Sequence, residues 1–105
     1  MNPIKPLLEQ MQQRFNPAAA AGMDAIFQYD IDEQGSWQVA VKDEQCDVSE
    51  GEAAEATVTL SMTTETLASV ISGETDGMQA FMAGSIKASG DIILATLLPD
   101  LFPLN

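Results

Sequence analysis

The chain has 105 residues, 46% of them apolar, and sixteen acidic side chains against four basic ones give a net charge of −12. Such a charge disfavours nucleic acid and anionic lipid surfaces, both of which are gripped by Lys and Arg. The absence of histidine excludes Ser-His-Asp, Cys-His and histidine-ligated zinc sites, and a lone cysteine, Cys46, permits neither an internal disulfide nor a thiolate cluster. A chain of this length builds one core, so a single domain over residues 1–105 is expected. The N-terminal MNPIKPLLEQMQQRF has no signal-peptide pattern and no apolar run reaches the roughly eighteen residues of a membrane span, so a soluble, cytoplasmic protein is expected.

Ile4, Leu7, Leu8, Met11 and Phe15 recur at helical spacing with polar residues between them, which predicts an amphipathic first helix. Asn16 and Pro17 break it and offer a cap and a first-turn proline for a short PAAAAGM segment that Gly22 ends. From Asp24 the period becomes two. Phe27, Tyr29 and Ile31 share one face of a strand, EQGS turns the chain, and Trp37, Val39 and Val41 share the same face of a second. Gln45 to Val48 is a weaker third strand, SEGEAAE an acidic loop, and Thr57 to Met62 a fourth strand with Val58, Leu60 and Met62 inward. Thr63 caps a helix that Gly73 stops, and Asp76 caps another that Gly84 stops. Ile86 to Ser89 is a fifth strand, and Gly90 and Asp91 open a final helix in which only Thr96 is polar. Strands in a run followed by helices, with one late strand, give an α+β fold with a five-stranded, mostly antiparallel sheet.

A sheet with one apolar face needs helices over that face only, and each such helix normally carries a stripe about 100° wide. The final helix is apolar nearly all round, so it is expected to meet something on both sides: sheet, helices, a partner, a membrane or a guest. Six methionines, with Met11, Met62, Met78 and Met82 on predicted inward faces, suit either a permissive binding surface or ordinary gap-filling in a small core.

The order AIFQYDI, Trp37 in SWQVAV, and ATVTLSMTTETLASVISGETDGMQAFMAGSIKASGD resembles the sterol carrier protein 2, or sterol-binding domain, family at Thr57, Thr59, Leu67, Gly73, Phe81, Gly84, Lys87, Gly90 and Asp91. The resemblance spans roughly residues 4 to 102. It implies helices packed on one face of a five-stranded sheet, enclosing an apolar tunnel that holds a fatty acyl chain, sterol or similar lipid. Ser85 stands where the family usually has Lys, which weakens any expectation of a phosphate-bearing head, and LFPLN lacks a peroxisomal signal, as in a bacterial-type cytoplasmic version.

The resulting expectation is non-enzymatic carriage of one hydrophobic ligand, with no catalytic residue, metal or cofactor. Trp37, Leu67, Val70, Ile71, Met78, Phe81, Met82, Ile93, Leu94, Leu97, Leu98, Leu101 and Phe102 are expected to line the site, with exchange by opening of the last helix. The alternative is an interaction module whose patch of Ile92, Leu98, Leu101 and Phe102 docks on an enzyme or on a second copy. The resemblance also takes in bacterial relatives that are accessory factors in ubiquinone synthesis, and presenting a prenylated intermediate to enzymes would combine the two. Membrane contact would be transient at most. DIDEQG has the opening spacing of a calcium loop, but Val41 occupies the twelfth position where Glu is needed, so a hairpin turn is the better reading. Glu50, Glu52 and Glu55 are read as solvated, Cys46 as buried and inert, Asp91 as a helix cap, and Lys87 as either an outward side chain or a contact for a lipid head.

Overall fold

The computed structural model describes residues 4–102. Helix α1 (Ile4–Gln13) leads through a 3-10 turn (Pro17–Ala20) into β1 (Asp24–Ile31), β2 (Gly35–Lys42), β3 (Gln45–Glu50) and β4 (Val58–Met62). Helices α2 (Thr64–Ser72) and α3 (Gly77–Met82), strand β5 (Lys87–Gly90), and the short helices α4 (Ile92–Ala95) and α5 (Leu98–Leu101) follow.

The strands form one sheet in the order β3-β2-β1-β4-β5, antiparallel except for the parallel pair β1 and β4. Register places like with like. Phe27 pairs with Val39 and with Val58, Tyr29 with Trp37 and with Leu60, and all of these are buried. The alternate residues, Gln38, Lys42, Asp47, Thr59, Ser61 and Lys87 among them, point to the opposite, polar face, because successive strand side chains alternate. On that outer face Gln28 is nearly buried: its carboxamide oxygen accepts the Ala53 N–H (3.0 Å) and its nitrogen donates to Asp30 (2.9 Å), which ties down the segment running from β3 to β4.

The helices cover the apolar face. Ile4, Leu8 and Met11 lie one and two turns apart on α1 and are buried, each Ile or Leu contributing about 1.5–3 kcal/mol relative to exposure. Asn16, Thr63, Asp76 and Asp91 each accept an N–H of the following turn with the side chain, so these helix starts stand where capping chemistry puts them.

One expected element is divided. The apolar stretch after Asp91 is two single-turn helices joined at Thr96–Leu97. Pro99 has no N–H to give the Ala95 carbonyl, and the Thr96 hydroxyl donates to the Ile93 carbonyl (2.6 Å), both of which favour a break after one turn. Among the described residues no helix is long and apolar enough to cross a membrane.

Candidate ligand cavity

Between the helices and the apolar face of the sheet lies a cavity of about 490 Å³. Tyr29 on β1 and Leu60 and Met62 on β4 form its floor, fixed by the parallel pairing that sets Tyr29 beside Leu60 and Ile31 beside Met62. Met11 on α1 and Arg14, the residue just past its end, make one wall, and Leu67, Val70 and Ile71 of α2 make another. Met78 and Phe81 of α3, Ile86, and Ile92, Ala95, Leu98 and Phe102 of the C-terminal segment complete it. Phe102 is held from behind by Phe15, with ring centroids 5.7 Å apart. Glycine lets the wall turn: Gly73 ends α2 at φ +87°, its N–H bonded to the Val70 carbonyl.

Polar groups in the wall are few. Arg14 is half-buried and donates through Nη1 to the Ile71 carbonyl at 2.6 Å, in the last turn of α2 where unpaired carbonyls favour a cation. Its guanidinium has no carboxylate within ion-pair distance among the described residues, although the chain carries sixteen acids. Asp76 also borders the cavity, where its carboxylate caps α3 through the Met78 N–H (2.9 Å). Tyr29 is buried, and its hydroxyl donates to the Met11 sulfur at 3.8 Å. Burial, with the Cys46 sulfur adding to it, drives the phenol well above its ordinary range, so it remains a neutral donor. The Cys46 thiol lies outside the cavity wall and is pushed up to about 12 by burial and by neighbouring Asp47, which leaves it protonated and unreactive at neutral pH.

Of the residues expected at the site, Leu67, Val70, Ile71, Met78, Phe81, Leu98 and Phe102 are brought together around the cavity, and the others stand elsewhere. Trp37 is buried beneath α1, beside a separate depression of about 170 Å³ shared with Lys5, Glu9, Gln12, Val48, Ser49 and Glu50. Its place on β2, one strand beyond β1, sets it away from the larger space. Met82 is 80% exposed, against the inward placement expected of it. On a six-residue helix whose buried contact is Ala80, a residue two positions on points about 200° away. Ile93 is 77% exposed for a similar reason, since α4 turns Ala95 and Leu94 inward. Leu94 and Leu97 are half-buried behind the wall. Leu101 is wholly buried next to the 3-10 turn, where its carbonyl accepts the Asn16 N–H (2.8 Å). The expected docking patch is therefore altered: Leu101 and Phe102 are inside, and Met78, Met82, Ile92 and Ile93 are the exposed large apolar residues among those described. Lys87 lies on the outer face of the sheet, opposite Ser61, so Arg14 is the cation that borders the cavity.

The residues not foreseen there are Met11, Arg14, Tyr29, Leu60, Met62, Gly73, Asp76, Gly77, Ile86, Ile92, Ala95 and Thr96. Strand alternation had already placed Tyr29, Leu60 and Met62 on the covered face. Which covered residues meet a helix and which meet open space depends on helix placement, which alternation does not encode.

The site is thus a mostly apolar space beneath the helices of a one-sided sheet, bordered by Arg14 and Asp76. The sequence matches the profile of the SCP-2 sterol transfer family over residues 4–103, and the chain belongs to that family. The hydroxysteroid dehydrogenase-like protein 2 of Xenopus laevis is 27% identical over 97 residues, covering 90% of this chain and 23% of that protein. The chain spans less than a quarter of the length of the curated relatives it matches, at 23% and 15%. Among solved structures, palmitated SCP2L2 from Aedes aegypti superposes with a TM-score of 0.72 at 24% identity, over 95% of this chain and 94% of that one. The ubiquinone synthesis protein UbiJ, an SCP2 structure, does so with a TM-score of 0.68 at 20% identity, over 94% and 98%. Both likenesses concern the fold.

Proposed function

We propose that this chain binds one hydrophobic molecule, a fatty acid, acyl chain, sterol-like or prenyl lipid, between its sheet and helices and carries it without chemical change. The observation behind this reading is the cavity of about 490 Å³ with walls built almost entirely of apolar side chains, within the range of small-molecule sites. A dozen methylenes moved out of water supply on the order of 10 kcal/mol, enough to offset association costs of several kcal/mol with no catalytic group involved. Arg14 gives the cavity a place for an anionic head, since its guanidinium has donors left over after the Ile71 carbonyl. The palmitate carried by SCP2L2 from Aedes aegypti is a ligand of this kind.

Fluorescence titration with cis-parinaric acid tests the reading. Wild-type protein should bind it saturably at one site, and Val70→Trp, which puts an indole into the space, should weaken binding about tenfold or more while leaving the protein folded. Unchanged uptake in folded Val70→Trp would place the ligand elsewhere.

The exposure of Met82 and Ile93, beside Met78 and Ile92 at the cavity rim, favours a second reading in which the domain hands its ligand to a docked enzyme or copy. UbiJ, a ubiquinone synthesis protein, suggests a prenylated intermediate as the cargo in that case. Running the titration at several protein concentrations would reveal such association.

A further inference from the structure

Resting on the cavity reading above, we propose that the Tyr29 hydroxyl donates a hydrogen bond to the bound molecule, so that the cavity selects lipids bearing a carbonyl-type oxygen (carboxylate, ester or ring carbonyl) over plain hydrocarbons. The hydroxyl is buried in a wall that is otherwise almost wholly apolar, and its sole acceptor among the described residues is the Met11 thioether at 3.8 Å. Sulfur of this kind is a weak acceptor, and buried hydroxyls ordinarily find oxygen or nitrogen. Met11 and Tyr29 both line the cavity, so an acceptor oxygen bound beside them would compete with the sulfur for the hydroxyl. The unbranched Met side chain gives way easily, and in a low-dielectric pocket the new bond is stronger than in water.

Position adds a second discrimination. Arg14 follows Met11 by three residues, just past the end of α1, and both line the cavity, with the guanidinium bonded to the Ile71 carbonyl. Tyr29 reads the presence of an acceptor oxygen, charged or neutral, and Arg14 reads negative charge. A carboxylate satisfies both, an ester satisfies Tyr29 alone, and a hydrocarbon satisfies neither.

Three probes separate these terms: cis-parinaric acid, its methyl ester, and the hydrocarbon diphenylhexatriene. Tyr29→Phe keeps the ring and should weaken the acid and the ester about fivefold relative to diphenylhexatriene. Met11→Leu, nearly equal in volume, removes the resting acceptor and should tighten the ester about twofold to threefold relative to diphenylhexatriene. The chain has a single tyrosine, so protein labelled with ¹³Cζ-tyrosine gives one resonance. That resonance should move further with the ester than with the hydrocarbon. Equal losses for all three probes in Tyr29→Phe, or no loss for any, would overturn the proposal, as would Met11→Leu binding the ester more weakly. Saturable binding of the probes with an ester insensitive to Tyr29→Phe would end this inference alone; no saturable binding of any of the three probes would end the cavity reading along with it.

Discussion

Gly90 has φ +97°, and a β-carbon there would stand 2.6 Å from the Thr57 carbonyl oxygen and 3.1 Å from the Val58 α-carbon. The residue closes the β4–β5 pairing, and the next N–H, from Asp91, bonds to that same Thr57 carbonyl at 2.9 Å. Gly90→Ala should therefore destabilise the fold by about 2 kcal/mol or more, read as a lower denaturation midpoint with an unchanged slope. Wild-type stability in that variant would mean the strand end relaxes freely. Residues governed by local rules were legible in the sequence: Asn16, Thr63, Asp76 and Asp91 are read as caps, and each makes its capping bond. Met82 was not, because the inward face of a helix shorter than two turns is set by one contact, here Ala80, rather than by a repeating stripe. Arg14 was passed over because a cation one turn from Met11 looks like any solvated helix residue until the Ile71 carbonyl and the cavity are placed beside it.

At the scale of elements, alternation alone assigns the sheet faces. Every inward residue read from β1, β2 and β4 is buried, since a slip of one residue in register would expose the whole set. Asp43 and Glu44 join β2 to β3 in two residues with φ of 53° and 59°, the left-handed pair of a tight hairpin. Glycine takes that conformation without the β-carbon clash, so Glu44→Gly should stabilise the protein by about 0.5–1 kcal/mol, seen as a higher midpoint in thermal or chemical unfolding. A lower midpoint would show that Glu44 has a compensating role. The division of the last apolar stretch at Thr96–Leu97 was less visible, because hydrophobicity marks burial and says little about where a helical turn stops. Trp37 shows the same limit. Its face is correct, but whether it lies under α1 or beside open space follows from the order β3-β2-β1-β4-β5, and no single strand carries that information.

For the whole molecule, the surplus of apolar residues has two destinations. Part of it surrounds the cavity, and part, at Met82 and Ile93, faces outward. The layered α+β architecture was legible because one apolar sheet face demands a cover. The shape of the remaining space was not, since it depends on how far α2, α3 and α4 stand off the sheet. The charge of −12 belongs to the outer surface, while the cavity itself is bordered by one cation, Arg14, and one carboxylate, Asp76. That contrast suits a guest that is mostly hydrocarbon with a small polar end. Native mass spectrometry of the protein purified from cells, followed by organic extraction, tests this most directly. The account predicts a one-to-one adduct with a lipid mass, diminished in Val70→Trp. Bare protein from cells that also fails to take up a fluorescent fatty acid would contradict it.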